Sequence, residues 1–136
     1  MEMRISLPGG ARVDAAYKGF VIRTDQPVHL GGANAAPAPF DYFLASIGTC
    51  AGFYVLSFLQ RRGLPIEDVT LAVSTVKDPA RHMVSDIAIE IHVPESFPGK
   101  YRNALVNAVN QCSVKKHLHD SPRFNTVVVI GERKAA

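Results

Sequence analysis

The feature that most constrains the fold is a run of 19 residues, Tyr42 to Gln60, without a single charged side chain. Its length approaches that of a membrane span, but polar residues such as Ser46, Thr49 and Ser57 interrupt it. A helix that is apolar on all sides is otherwise a helix buried in a protein core. We therefore expect a core helix and no membrane association, and such a helix needs neighbours that cover every face.

Signals at both ends of the run predict where this helix begins and ends. Pro39 suits a first-turn position, and the carboxylate of Asp41 complements the positive end of the helix dipole. Gly63 is a natural residue to follow the last turn. The sequence therefore predicts a helix from about Pro39 or Phe40 to Arg62.

The rest of the chain predicts one α+β domain over residues 1–136, since no linker or repeat divides it. Alternating apolar residues bounded by turn residues predict short strands, and the pattern after residue 100 predicts two helices followed by a last strand. The expected strands are Met3–Leu7, Arg12–Tyr17, Phe20–Thr24, Val69–Val76, Val84–Val93 and Phe124–Ile130, and the expected shorter helices are Tyr101–Gln111 and Ser113–Leu118.

Two glycines, Gly48 and Gly52, lie four residues apart on the long helix and flank Cys50. Each costs helix stability by about 1 kcal/mol relative to alanine, so each needs a reason. Close packing of another element is one explanation, and access of a ligand to the Cys50 region is the other. The two explanations are compatible.

Composition and charge exclude several classes of function. The net charge is +3, and the basic residues are scattered apart from Lys115-Lys116 with His117, His119 and Arg123. That pattern is typical of a solvated face, so we expect no nucleic-acid partner. Cys112, His117 and His119 make an unconvincing metal site, and no phosphate-binding glycine motif occurs, so we expect no cofactor. The amino-terminal residues lack a signal-peptide pattern, which predicts a cytoplasmic protein.

The two cysteines, Cys50 and Cys112, lie 62 positions apart. In a reducing compartment such residues are either small buried hydrophobes or redox-active thiols. A thiol within a helix becomes a good nucleophile only beside a cation or dipole. Arg12 or Arg23 on the predicted strands could supply that charge, and Asp41 could orient the arginine.

Two motifs of the chain resemble motifs of a known protein family. The run from Pro39 to Cys50, PFDYFLASIGTC, resembles the central-helix motif of the OsmC/Ohr family, and Cys112 to Leu118, CSVKKHL, resembles that family's second-cysteine motif. The order of predicted elements also fits along nearly the whole chain. The resemblance implies an OsmC-like fold, in which antiparallel sheets wrap around long central helices of an intertwined homodimer and each site draws on both chains.

The resemblance also implies a function, which is reduction of organic hydroperoxides by thiols as a defence against oxidative stress. Cys50 would attack the peroxide and become a sulfenic acid, and Cys112 would condense with it to a disulfide. An external dithiol would then reduce the disulfide. For the Ohr branch that reductant is a lipoylated protein.

One position departs from the Ohr branch, which carries a catalytic glutamate directly after the proline of the helix motif. Phe40 occupies that position here, and the carboxylate follows one residue later at Asp41, which looks more like the OsmC-like branch. One residue rotates a helical side chain by about 100°. The family's arginine follows the first strand, where Arg12 is the nearest match and Arg23 the other candidate.

We therefore expect a dimeric, cofactor-free thiol peroxidase with Cys50, Cys112, Asp41 and Arg12 as site residues. The α-carbons of the two cysteines should then approach to within roughly 7 Å, or a modest movement of that. The alternative is a non-enzymatic protein that holds a hydrophobic or sulfur-bearing ligand in the dimer cleft. Another thiol-transfer reaction is a third possibility.

Overall fold

The long apolar helix is the centre of the computed structural model, which describes residues 2–131. This helix, α1, runs from Pro39 to Arg61. At its start an Asp41 carboxylate oxygen accepts a hydrogen bond of 2.8 Å from the backbone N–H of Ala38, which satisfies a donor that a helix end leaves unpaired. Gly63 follows the helix with a φ of +61°. The predicted helix is confirmed, and it ends one residue earlier than expected.

The amino-terminal strands form an antiparallel meander, as predicted. They are β1 (Arg4–Gly9), β2 (Arg12–Tyr17) and β3 (Phe20–Thr24), in that spatial order. Lys18 and Gly19 join β2 to β3 with φ values of +49° and +81°. Two such residues give the tight turn whose twist matches that of the flanking strands.

The loop after β3 folds around a buried carboxylate. Asp25 is 1% exposed, and its oxygens accept hydrogen bonds from the backbone N–H groups of Gln26, Ala33 and Ala35 at 2.8, 3.1 and 3.0 Å. Gly32 is required in this loop because a Cβ there would overlap the backbone of Gln26. The loop therefore has a defined shape and delivers the chain to the start of α1.

A second antiparallel sheet consists of β4 (Thr70–Asp78) and β5 (Met83–His92). β5 alternates half-buried and exposed positions along most of its length. The alternation predicted from the sequence is thus present, with one face turned toward the core.

The two helical glycines lie where β4 packs against α1. A Cβ on Gly48 would come to 2.9 Å from Cγ2 of Val73, and a Cβ on Gly52 would come to 4.0 Å from Cδ1 of Leu71. Close packing therefore accounts for Gly48, whereas Gly52 has room for a methyl group.

Two shorter helices complete the described elements, α2 (Arg102–Val109) and α3 (Ser113–His119). α2 is shorter than predicted at both ends. The main core lies between α1 and α2 and is flanked by β4 and β5; its fully buried side chains are Ala51, Val55, Phe58, Leu59, Leu105 and Val109. The meander contributes no fully buried hydrophobic side chain to the described chain.

The predicted last strand, Phe124–Ile130, is wrong for the single chain. Residues 121–130 form no regular element, and Phe124 and Ile130 are 91% and 96% exposed. A strand persists only where its backbone groups find partners on a neighbouring strand. Among the elements between residues 2 and 131, none pairs with this segment.

α1 is long and apolar enough to cross a membrane by length and composition alone. One face of it is instead buried against protein, through Ile47, Ala51, Val55, Phe58 and Leu59. The core-helix prediction is therefore confirmed on that face. On the opposite side Phe53 stays 63% exposed, so a single chain covers α1 only in part.

Candidate active site

The fold brings the two cysteines together although they are far apart in sequence. Cys50 lies in the middle of α1 and is half-buried, and Cys112 precedes α3 and is fully buried. Both are free thiols. Because α3 packs against α1, the first turn of α3 meets the Cys50 side chain, and the two thiols interact electrostatically.

The surroundings of Cys50 favour its thiolate. Burial by itself would raise the pKa of Cys50, but the Cys112 thiol, the backbone N–H of Val114, and the hydroxyl and N–H of Ser113 outweigh that effect, so its pKa lies below the ordinary value. The hydroxyl oxygen of Ser113 lies 3.9 Å from the Cys50 sulfur. Cys50 is therefore the thiol of the pair that ionises first.

The pKa of Cys112 is shifted in the opposite direction, above its ordinary value. Its burial raises the pKa, and its interaction with Cys50 raises it further, while the backbone N–H of Lys115 works in the other direction. A pair in which one thiol ionises more readily than the other suits a nucleophile and a resolving partner.

Asp41, one of the predicted site residues, lies at the beginning of α1. Its carboxylate accepts a hydrogen bond from the backbone N–H of Ala38. Nine residues of helix separate it from Cys50, which corresponds to about 14 Å along the axis. The structure therefore does not bring Asp41 to the thiols of its own chain.

Arg12, the predicted cation, begins β2. Its guanidinium lies 3.7 Å from the carboxylate of Asp14, and its charge helps the loop N–H groups to lower the pKa of Asp25. Arg23, the other candidate, offers its backbone carbonyl to the Tyr42 hydroxyl at 2.9 Å. Within residues 2–131 no hydrogen bond or ion pair joins either guanidinium to the thiols of the same chain.

Sequence reasoning missed Ser113 and Val114 as neighbours of Cys50. The available signal was a predicted helix starting directly after Cys112, because the first N–H groups of a helix are free to stabilise an anion. The sequence did not indicate that Cys50, rather than another group, would lie against that turn.

An apolar cavity of about 430 Å³ lies between α1, β5, α2 and α3. Ile47, one turn before Cys50, lines it together with Ile87, Ile89 and Val109. Lys115 is its cationic residue, and the Lys115 ammonium donates a hydrogen bond of 2.7 Å to Asn110. Such a cavity suits the organic part of a small molecule.

Solved structures with the same fold come from several bacteria. An OsmC-like protein from Mycoplasma pneumoniae aligns with a TM-score of 0.67 and 16% identity, covering 88% of this chain and 87% of that one. An organic hydroperoxide resistance protein OsmC from Legionella pneumophila gives 0.58 and 19%, with coverages of 87% and 89%. The organic hydroperoxide resistance protein OhrB of Bacillus subtilis gives 0.52 and 17%, with coverages of 86% and 90%.

At these identities the structural likeness shows the fold alone, and it confirms the predicted α+β, OsmC-like architecture. No curated protein matches the chain significantly. The model of the OsmC-like protein family, in contrast, matches residues 31–127, which include α1, the β4–β5 sheet and both cysteines. The chain therefore belongs to the OsmC-like protein family.

Proposed function

We propose that this protein is a thiol-dependent peroxidase that reduces organic hydroperoxides through Cys50 and Cys112. The observation that carries the proposal is the asymmetry of the pair: a half-buried Cys50 biased toward its thiolate lies against a fully buried Cys112 biased toward its protonated form. Structural neighbours from Legionella pneumophila and Bacillus subtilis are organic hydroperoxide resistance proteins, which supports the same class of chemistry.

The proposed cycle has three steps. The Cys50 thiolate attacks a peroxide oxygen, so that an S–O bond forms, the O–O bond breaks and the departing alkoxide takes a proton from water. The Cys112 thiol then attacks the Cys50 sulfenic acid, which releases water and forms a disulfide. An external dithiol restores both thiols by exchange and is itself oxidised to a disulfide. A cytoplasmic location, where such dithiols are kept reduced, fits this cycle.

We propose further that the working form is a homodimer. The chain alone exposes 10944 Å² of surface, whereas a compact monomer of this mass exposes about 7,000 Å². A large, permanent interface would cover much of this excess. Apolar side chains on α1 and in the 121–130 segment, such as Phe53 and Val128, supply uncovered surface for a second copy.

A homodimer also gives a role to the two predicted residues that lie away from the thiols of their own chain. In this proposal each site draws on both chains, so that Arg12 and Asp41 of one copy act on Cys50 of the other. Arg12 is suited to this role because Asp14 holds its guanidinium at 3.7 Å while the residue remains exposed.

Turnover measurements test the proposal. With cumene hydroperoxide and an excess of dithiol, the wild-type protein should consume peroxide steadily, and Cys50→Ser should abolish turnover. Without dithiol, Cys112→Ser should consume one equivalent of peroxide and keep a sulfenic acid on Cys50. Steady turnover that persists in Cys50→Ser would contradict the assignment.

The apolar cavity favours a second candidate, a binding protein that holds a hydrophobic or sulfur-bearing ligand. Its lining of Ile47, Ile87, Ile89 and Val109 offers apolar contact, and Ile47 lies one turn before Cys50 on α1. The two candidates differ in one outcome. A Cys50–Cys112 disulfide that forms without any peroxide turnover in the presence of dithiol would favour the binding protein.

A further inference from the structure

The contacts of the Cys50 sulfur single out Ser113. Among the side chains of residues 2–131, the hydroxyl of Ser113 is the one oxygen or nitrogen within hydrogen-bond distance of that sulfur, at 3.9 Å. Neither Asp41 nor Arg12 reaches it within the chain. Within the described chain, the polar side chain that contacts the Cys50 sulfur therefore belongs to the first residue of α3.

The exposure of the three residues gives them different access to substrate. Cys112 is fully buried, Cys50 is half-buried and Ser113 is exposed. A hydroperoxide that approaches from solvent therefore meets the Ser113 hydroxyl and the Cys50 sulfur, with Cys112 behind them. A serine hydroxyl rotates freely and both donates and accepts, so it can turn from the sulfur to an arriving oxygen.

We propose, on the basis of the proposed peroxidase function, that Ser113 is a catalytic residue whose hydroxyl donates a hydrogen bond first to the Cys50 thiolate and then to the departing oxygen of the hydroperoxide, while the sulfur attacks the other oxygen. The hydroxyl holds the thiolate in place before the reaction. In the transition state it faces the departing oxygen, where negative charge develops as the O–O bond breaks.

The step balances without any proton lost or gained by Ser113. The sulfur supplies the electron pair of the new S–O bond, Cys50 is oxidised to the sulfenic acid, and the hydroperoxide is reduced to an alcohol. The alkoxide that leaves takes its proton from water at the open side of the site. Ser113 keeps its own proton and acts only through hydrogen bonding.

We expect the fold to tolerate substitution of Ser113. It is the first residue of α3 rather than its N-cap, a position that Cys112 occupies. Its hydroxyl contacts Cys50 and donates to no backbone group in the part of the chain that is described. Ser46→Ala is the matched control, because the Ser46 hydroxyl lies on α1 close to Cys50 but donates to the carbonyl of Phe43 at 2.7 Å.

Two measurements test the role. The first is the rate of sulfenic acid formation in a single turnover with cumene hydroperoxide, and the second is the pH profile of Cys50 alkylation by iodoacetamide. Ser113→Ala should slow the first by about 10- to 100-fold, as expected for loss of one hydrogen bond to a charged group. It should also move the alkylation midpoint to higher pH, while Ser113→Thr and Ser46→Ala stay near the wild type.

A Ser113→Ala variant with the wild-type rate and midpoint would overturn the proposal. So would equal losses in Ser113→Ala and Ser113→Thr that accompany a lower Tm, because they would assign Ser113 a structural role. Failure of the peroxidase function itself is distinguishable, since the wild type would then form no sulfenic acid. The alkylation profile needs no peroxide and still reports whether Ser113 holds the Cys50 thiolate.

Discussion

At the scale of residues, the candidate site consists of two thiols whose pKa values are shifted in opposite directions. Cys50 is the thiol whose neighbours stabilise negative charge, and Cys112 is the thiol that burial keeps protonated. This assignment depends on contacts from α3 and not on a positively charged side chain of the same chain. The first turn of a second helix approaches the Cys50 sulfur, which accounts for a lowered pKa in the middle of a helix.

The first prediction concerns the pH at which Cys50 reacts. Alkylation requires the thiolate, so a lowered pKa moves the midpoint of the rate–pH profile below that of an unperturbed thiol. Cys112→Ala should move the midpoint upward, because it removes a neighbour that stabilises the thiolate. Iodoacetamide kinetics with peptide mapping give both midpoints. A native midpoint equal to that of the urea-unfolded chain would contradict the assignment.

The two thiols were identifiable from the sequence, but their neighbours were not. Cys50 and Cys112 lie in motifs that resemble family motifs, so each could be named before the structure. Ser113 lies 63 positions from Cys50, and only the packing of α3 on α1 brings the two together. The expected contacts of Arg12 and Asp41 with the thiols remain predictions, because they depend on a second chain.

At the scale of elements, α1 was the most predictable part. Pro39, Asp41 and Gly63 act through local backbone chemistry, so the sequence alone placed both ends of the helix within one residue. The 121–130 segment shows the opposite case. Its apolar, β-branched residues fit a strand, but a strand also needs a neighbour, and sequence does not say which chain supplies it.

The second prediction compares the two glycines of α1. Alanine favours a helix over glycine by about 1 kcal/mol, and a methyl group at Gly52 has room, since Cδ1 of Leu71 is 4.0 Å away. Gly52→Ala should therefore stabilise the protein. At Gly48 the methyl group would lie 2.9 Å from Cγ2 of Val73, and overpacking of this kind costs about 1–3 kcal/mol.

Urea unfolding measures both free energies, and each variant serves as the control for the other. We expect Gly48→Ala to be less stable than Gly52→Ala by roughly 1–3 kcal/mol. Equal stabilisation by the two substitutions would show that β4 does not pack closely on α1 at Val73.

At the scale of the whole molecule, the single chain leaves too much apolar surface uncovered. Large side chains of the meander and the 121–130 segment are exposed together with one face of α1, for example Leu7 at 80% and Val128 at 90%. Exposed apolar surface on this scale is typical of a chain that associates with a partner. The proposed homodimer would bury these side chains and so account for the run of 19 residues without a charged side chain.

The third prediction is therefore a dimer whose interface includes the uncovered face of α1. Phe53, 63% exposed in the single chain, should be buried there, so Phe53→Glu should shift the protein toward monomer or aggregate. Ser74→Glu, a change at an exposed position of β4, is the matched control. Analytical ultracentrifugation reports the mass. A wild-type monomer, or a Phe53→Glu dimer as stable as the control, would contradict the proposed interface.

The central claim is that Cys50 and Cys112 form one redox pair, and intact-protein mass spectrometry after stoichiometric hydroperoxide tests it most directly. We predict a mass lower by two hydrogens, with peptide mapping that joins Cys50 to Cys112. Cys112→Ser should instead carry one added oxygen on Cys50. An unchanged wild-type mass, or an oxidised Cys50 that never joins Cys112, would contradict the claim.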